Sequence, residues 1–214
     1  AKAQATACAG NIRQLSLAWQ LYADDHEDRL INNHGIDETR TFSPVRLAIL
    51  TVSDTRTLEN DVSGQTLADR VADAGHLLSA RKIVKDDIRS IRHVIRDWAN
   101  RTDVDAMITT GGTGLTGHDV TIEAVRPLFE KEIDGFGTLF HMVSFPKIGT
   151  STIQSRATAG VMKGKYIFCL PGSPGACRDG WDLILKPQLD YTHKPCNFVE
   201  IMPRLEEHLQ RKKG

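Results

Sequence analysis

Cysteine is scarce and unpatterned in this chain. Cys8, Cys169, Cys177 and Cys196 are the four present, and no two stand at C-x-x-C spacing. That argues against a zinc ribbon or a thioredoxin-like redox centre, and reduced, intracellular thiols are expected. The eight histidines include no H-x-x-x-H pair, so a zinc site is not expected either. No apolar run approaches the length of a membrane span, and no signal-peptide core is recognised; the expected location is cytoplasmic. Charge of one sign is also missing. Lys and Arg together number 27, as do Asp and Glu, and the basic run Arg211-Lys212-Lys213 is short. Nucleic acid is therefore not an expected partner.

What is present reads as one α/β domain behind a different leader. At 214 residues the chain suits a domain plus an appendage, and a domain of roughly 170 residues buries about 70% of its unfolded surface without staples. Residues 1–34 form the appendage: Ile12, Leu15, Trp19 and Tyr22 recur at helical spacing before the acidic Asp24-Asp25-His26-Glu27-Asp28. This stretch resembles the segment that follows the membrane stem in pilin-like secreted proteins. Residues 35–44, polar with Gly35 and Pro44, read as a linker, and 45–214 as the domain.

From Val45 strands and helices alternate. Val45–Val52 is an evenly apolar strand, as expected in a parallel sheet. Ser63 is the expected cap of a helix carrying Leu67, Ala68, Val71 and Ala72 on one face, with Gly75 as its stop. Leu77–Val84 is a second strand. Asp86 or Asp87 caps a helix in which Ile88, Ile91, Ile95 and Trp98 share a face. Val104–Thr110 is the third strand. A helix from Thr121 carries Ile122, Val125 and Phe129, weakened by Pro127. Short helices are expected over Gly135–Phe145 and Ser151–Val161, a strand over Lys165–Leu170, and a helix around Trp181, Ile184 and Leu185. An extended piece over Asn197–Met202 and a terminal helix over Arg204–Lys213 close the chain. The order implies a mostly parallel, doubly wound sheet with helices on both faces, a three-layer α/β/α fold.

The chemistry concentrates in Thr109-Thr110-Gly111-Gly112-Thr113-Gly114-Leu115-Thr116-Gly117-His118-Asp119. A strand that feeds a glycine-rich turn and then a helix N-terminus makes an anion site, most often for phosphate. A carboxylate inside such a turn repels phosphate unless a divalent cation intervenes, so Asp119 points to Mg²⁺ and a nucleotide. Gly112-x-Gly114-x-x-Gly117 also matches the dinucleotide fingerprint, which would point to a dinucleotide-dependent oxidoreductase. At least two strands precede the motif, however, and Asp134, at the right offset, does not end a strand. An ordinary strand-to-helix turn with no ligand is the bland alternative. In doubly wound sheets ligands sit beyond the carboxyl ends of the strands. The loops at Ser53-Asp54-Thr55, Lys85-Asp86-Asp87, Gly111–Asp119 and Pro171–Gly175 should therefore open on one edge. Taken singly, Asp86 reads as a helix cap and Asp54 as a turn former; together they read as a site.

Several separated stretches resemble one family. Leu50-Thr51-Val52-Ser53-Asp54-Thr55-Arg56, Asp61-x-Ser63-Gly64, Ile83-Val84-Lys85-Asp86-Asp87, Thr109–Thr121, Ser151-Thr152-Ile153-Gln154-Ser155-Arg156-Ala157 and Leu170–Arg178 are similar to the MoaB/MogA family of molybdenum cofactor biosynthesis proteins. Trp181-Asp182, Pro187-Gln188-Leu189-Asp190 and Pro195-Cys196-Asn197-Phe198 resemble its MoaB branch. The likeness runs from about Gly35 to Leu209. It implies a three-layer α/β/α fold, assembly as a homotrimer or homohexamer, and adenylylation of molybdopterin by Mg-ATP with release of pyrophosphate. By the same resemblance Asp86 and Asp119 handle Mg²⁺ and ATP and support turnover. Thr110, Gly111, Gly112, Thr113 and Gly114 form the phosphate- and pterin-binding turn. Ser53, Asp54, Ser155, Pro171, Gly172, Ser173 and Pro174 supply the other walls. A non-catalytic molybdopterin carrier or assembly scaffold is the competing expectation. Because the attacking phosphate is already ionised at neutral pH, no histidine, His118 included, is required as a base.

Overall fold

The structure, a computed structural model, describes residues 35–211. The amphipathic pattern and the pilin-like resemblance of residues 1–34 lie outside the described residues. In chain order the elements begin with β1 (Gly35–Ile36), β2 (Arg46–Val52), α1 (Val62–Asp73), β3 (Leu77–Val84), α2 (Ile88–Asn100) and β4 (Ala106–Thr110). There follow α3 (Thr121–Val125), β5 (Lys131–Glu132), α4 (Asp134–Ile148), β6 (Thr158–Met162), β7 (Lys165–Leu170) and α5 (Pro174–Gly180). A π-helical turn, Trp181–Leu185, runs on into α6 (Lys186–Gln188), and β8 (His193–Lys194), α7 (Phe198–Ile201) and α8 (Glu207–Arg211) end the described chain.

Six strands form one sheet in the order β3-β2-β4-β7-β6-β5. The first four are mutually parallel, whereas β6 runs antiparallel to both β7 and β5. Strand alternation explains the three layers. Leu47 and Ile49 of β2 face a core with Leu67, Val71, Phe140, Phe168 and Trp181. Ala48 and Leu50 face the opposite core, with Ile91, Ile95, Trp98, Met107 and Ile167. Both faces are covered, which is why the central strands read as unbroken apolar runs. Removing each large side chain from water stabilises the fold by about 2 kcal/mol. At the open edge, β3 carries Arg81 and Lys82, charges that disfavour pairing with another strand there.

Several local expectations are corrected. Helix α1 is capped by Asp61, which accepts from Gly64 N at 2.9 Å, leaving Ser63 for another bond, and Ala72 faces solvent. Asp61 is buried with hydrogen bonds from Thr51 Oγ1 (2.7 Å) and Arg81 Nη2 (3.1 Å). Asp87, not Asp86, caps α2 through Ser90 N at 2.8 Å. The expected Ser151–Val161 helix is a 3-10 stretch, Gly149–Gln154, followed by β6. Five successive buried residues in β6 carry no period that distinguishes strand from helix. Gly160 there lies under the Phe129 ring, 2.3 Å from where a Cβ would stand. Asn197–Met202 is helical rather than extended, because Asn197 caps it by accepting from Glu200 N (2.8 Å). Of the expected terminal helix, Arg204–Lys213, the described part is the end of a 3-10 turn, Met202–Arg204, and α8; residues 212 and 213 lie outside the described residues. Residues 35–44 are tied down: β1 pairs with β8, and Arg40 bonds Glu200 through both Nη atoms at 3.1 Å. Among the described residues no helix is long and apolar enough to cross a membrane.

Candidate functional site

Register fixes where the loops open. Val52 lies beside Val84, Thr51 beside Thr110 and Thr110 beside Leu170, so four parallel strands end together. The loops after β2, β3, β4 and β7 therefore share one rim, as the sequence implies. The chain turns outward in opposite directions from β2 and β4: α1, which follows β2, packs with one core and α3, which follows β4, with the other. That reversal opens a crevice between the Ser53 and Gly111 loops, the place where such sheets bind ligands.

The glycines of this turn are dictated by space. Gly111 has φ +98°, and a Cβ there would stand 2.2 Å from Val52 O. Gly112 has φ +62°, and its Cβ would meet Thr121 Oγ1 at 2.4 Å and Asp86 Oδ1 at 2.7 Å. Not every amide of the turn faces outward. Gly111 N donates to Leu170 O (3.2 Å), and Gly114 N is taken by the Asp119 carboxylate. Among the described residues the amides of Gly112 and Thr113 have no protein acceptor. The helix behind the turn is also shorter than its pattern implies. After the five residues of α3 it tightens into a 3-10 turn, Arg126–Leu128. Thr121 N donates to Gly112 O (2.9 Å) and Thr121 Oγ1 to Gly111 O (2.8 Å). The helix start thus holds the turn's carbonyls, and its dipole contributes less than a long helix would.

Three carboxylates meet at this rim, and their environments differ. Asp119 Oδ2 accepts from Thr116 N (2.9 Å) and Thr116 Oγ1 (2.6 Å). Burial favours its neutral form, but the Thr116 and Gly114 hydrogen bonds and Arg156 outweigh that and hold its pKa below the ordinary value. Asp54 Oδ1 accepts from Asp86 N at 3.3 Å. The half-buried Asp86 side chain accepts no hydrogen bond among the described residues. Burial raises its pKa first, then the charges of Asp54 and Asp119, with His118 opposing. Among the described residues no group of three or more His, Cys, Asp and Glu side chains could hold a metal by itself. Mg²⁺ with phosphate ligands needs only one or two carboxylates. An unbonded, charge-crowded Asp86 fits that role, with Asp119 beside it.

The β7 loop closes the other side. Gly172 packs on Gly111, 3.1 Å from its Cα to the point a Cβ would occupy. Thr110 Oγ1 donates to Pro171 O (3.0 Å); Ser63 Oγ (2.7 Å) and Arg56 Nη2 (3.0 Å) donate to Gly172 O. Ser53 Oγ accepts from Thr55 and Arg56 amides, both at 3.3 Å, shaping its own loop. Ser173 caps α5 through Ala176 N (3.1 Å), with Pro174 as its first residue. Beyond Pro171 lies a cavity of about 350 Å³ whose walls include Phe140, Ser144, Lys147, Ser155, Ser173 and Arg178. Ser155, Pro171 and Ser173 are thus on this cavity, while Asp54, Asp86, Gly112 and Asp119 are on the acidic rim. The Pro171–Gly172 segment stands between the two regions. The sequence reading missed Lys147 and Arg178. Their only signal was a positive charge on helices bordering the Pro171 loop.

With this geometry in hand, comparison with known proteins is specific. The family model described as a probable molybdopterin binding domain matches residues 48–191. Molybdenum cofactor biosynthesis protein B of Escherichia coli strain K12 is 50% identical over 157 residues, 73% of this chain and 92% of that protein. The protein of the same name from Bacillus anthracis is 47% identical over 148 residues, 69% and 88% of the two chains. A crystal structure of molybdenum cofactor biosynthesis protein B superposes with a TM-score of 0.71 at 42% identity, covering 78% of this chain and 99% of that one.

Proposed function

From the premise that the chain belongs to the molybdenum cofactor biosynthesis protein B family, we propose that it adenylylates molybdopterin. The terminal phosphate of molybdopterin attacks the α-phosphorus of ATP. The new P–O bond forms as the Pα–O–Pβ bond breaks, giving adenylylated molybdopterin and pyrophosphate. The observation that carries this reading is the meeting of the Asp86 carboxylate with the Gly112 and Thr113 amides on one rim, none of them hydrogen-bonded among the described residues.

Nucleotidyl transfer asks a protein mainly for position and charge neutralisation. The amides of Gly112 and Thr113 hold oxygens of the transferring phosphate. Asp86, with Asp119, would hold Mg²⁺, which would offset the charge of the triphosphate and the departing pyrophosphate. Asp119 has a second duty, because its bonds to Thr116 fold the turn. The cavity beside Ser155, Pro171 and Ser173 receives the pterin, and Arg178 supplies positive charge to a phosphorylated ligand there, Lys147 being paired with Asp179 on the same wall.

A contact between copies is supported by α4. Leu139, Met142, Phe145 and Ile148 recur every third residue at 40%, 65%, 56% and 55% exposure, and Ile153 next to them is 78% exposed. An apolar stripe of this kind marks an interface, and we assign it to self-association as a homotrimer or homohexamer.

Pyrophosphate release with molybdopterin and ATP, with and without Mg²⁺, tests the reaction. Release that requires all three supports it. Molybdopterin binding that ignores Mg-ATP, with no pyrophosphate, is what a carrier or scaffold would give.

A further inference from the structure

Arg156 follows Ser155 within the residues that the family model matches, and the roles assigned above leave it unused. Its guanidinium reaches across to both ends of the glycine turn. Nε donates to Thr113 O and Nη2 to Asp119 O, each at 3.2 Å. Glu123 of α3 holds the same group from behind, through an Nη1–Oε1 contact and an Nη2–Oε2 bond of 3.3 Å. Arg156 and Glu123 are 29% and 47% exposed, so their ion pair contributes little as a charge pair. What is distinctive is the geometry: one planar fork serves two backbone carbonyls and a carboxylate.

The consequence follows from peptide planarity. With its carbonyl held by Arg156, the Thr113–Gly114 peptide directs Gly114 N–H the opposite way, where the Asp119 carboxylate takes it. The turn is thereby fixed from both sides, and the Gly112 and Thr113 amides are among those without an acceptor among the described residues. We propose that Arg156 is the positioning residue of the anion-binding turn, orienting its amides through the Thr113 and Asp119 carbonyls without touching substrate. The inference rests on the adenylyl-transfer reading for its kinetic consequence, not for its geometry.

The test compares the parent with Arg156→Lys and Arg156→Gln, with Arg70→Gln as a control at the Arg70–Asp182 pair, which involves no residue of the turn. Lysine keeps the charge but has no fork. Assays are run at a temperature where circular dichroism shows every variant folded. The expected result for both Arg156 variants is a kcat ten- to hundredfold lower with the KM for molybdopterin within threefold. Amide exchange should quicken about tenfold within 111–119 and stay unchanged in β2 and β7. A kcat within twofold of the parent in Arg156→Lys overturns the proposal. So does a joint loss in kcat and molybdopterin KM with exchange quickened throughout the sheet, the mark of a general structural part. If the parent itself releases no pyrophosphate, the adenylyl-transfer reading fails separately. Exchange then decides the positioning role: quickening confined to 111–119 in Arg156→Lys upholds it, and unchanged exchange overturns it.

Discussion

The Asp86 carboxylate lies directly against the backbone of Gly112: a Cβ added to Gly112 would stand 2.7 Å from Asp86 Oδ1. The acid and the anion-binding turn are in contact although 26 positions separate them in the chain.

Gly112→Ala therefore strikes both parts at once. Its φ of +62° is left-handed, which costs a residue with a Cβ about 1–2 kcal/mol. A Tm lower by roughly 2–8 °C follows for a domain of this size. Displacing Asp86 and Thr121 should lower turnover about a hundredfold, as an ångström of misplacement does elsewhere. Thermal melts and pyrophosphate release on the same sample check it. Parental turnover in the alanine variant would separate Asp86 from the turn's work.

His76 sets a pH dependence of stability. Val45 N donates to its Nδ1 at 3.1 Å, so the buried ring is an acceptor there and must be neutral with its proton on Nε2. Phe42 and Trp181 flank it at 5.1 and 6.0 Å. Burial lowers its pKa from the ordinary 6.5, with Asp190 partly opposing. The unfolded chain consequently takes up a proton at a higher pH than the folded one. Stability from this group is complete above pH 6.5 and is lost as pH falls below it. Melts between pH 7 and pH 5 should show Tm falling in the parent and falling less in His76→Gln. Equal slopes would show that His76 does not titrate on unfolding.

The α4 stripe yields a test of assembly. Met142→Lys and Phe145→Glu place charge at the most exposed large apolar side chains of the helix without touching its buried residues Phe136 and Phe140. Sedimentation should give an oligomer for the parent and a monomer for the double variant, with the far-ultraviolet spectrum unchanged. An unaltered oligomer would place the contact elsewhere.

Much of this architecture was legible in the chain because local signals agreed. The apolar runs of β2, β4 and β7 and the period of Ile91, Ile95 and Trp98 gave the layers, and the parallel order put four loops on one rim. The caps were harder. Ser63 and Asp61 are both good cap residues, and tertiary contacts decided: Ser63 is drawn to Gly172 O, and Asp61 to Arg81. The same ambiguity at Asp86 and Asp87 resolves in favour of Asp87, which frees Asp86 for the rim. The second short helix failed because β6 is buried on both faces and so has no alternation to read. Arg156 could not be found from spacing, since its partners lie 43 and 37 residues away and are main-chain carbonyls without sequence identity.

In the proposed reaction Asp86 carries the cation on which adenylyl transfer depends. The most direct measurement is Mg²⁺-dependent pyrophosphate release from molybdopterin and ATP by the parent and by Asp86→Asn, with molybdopterin affinity measured on the same samples. Turnover in the variant is expected to fall at least about a hundredfold, the scale of losing one electrostatic group in a site, with molybdopterin affinity kept within about threefold. Equal, Mg²⁺-dependent release by parent and variant would contradict it.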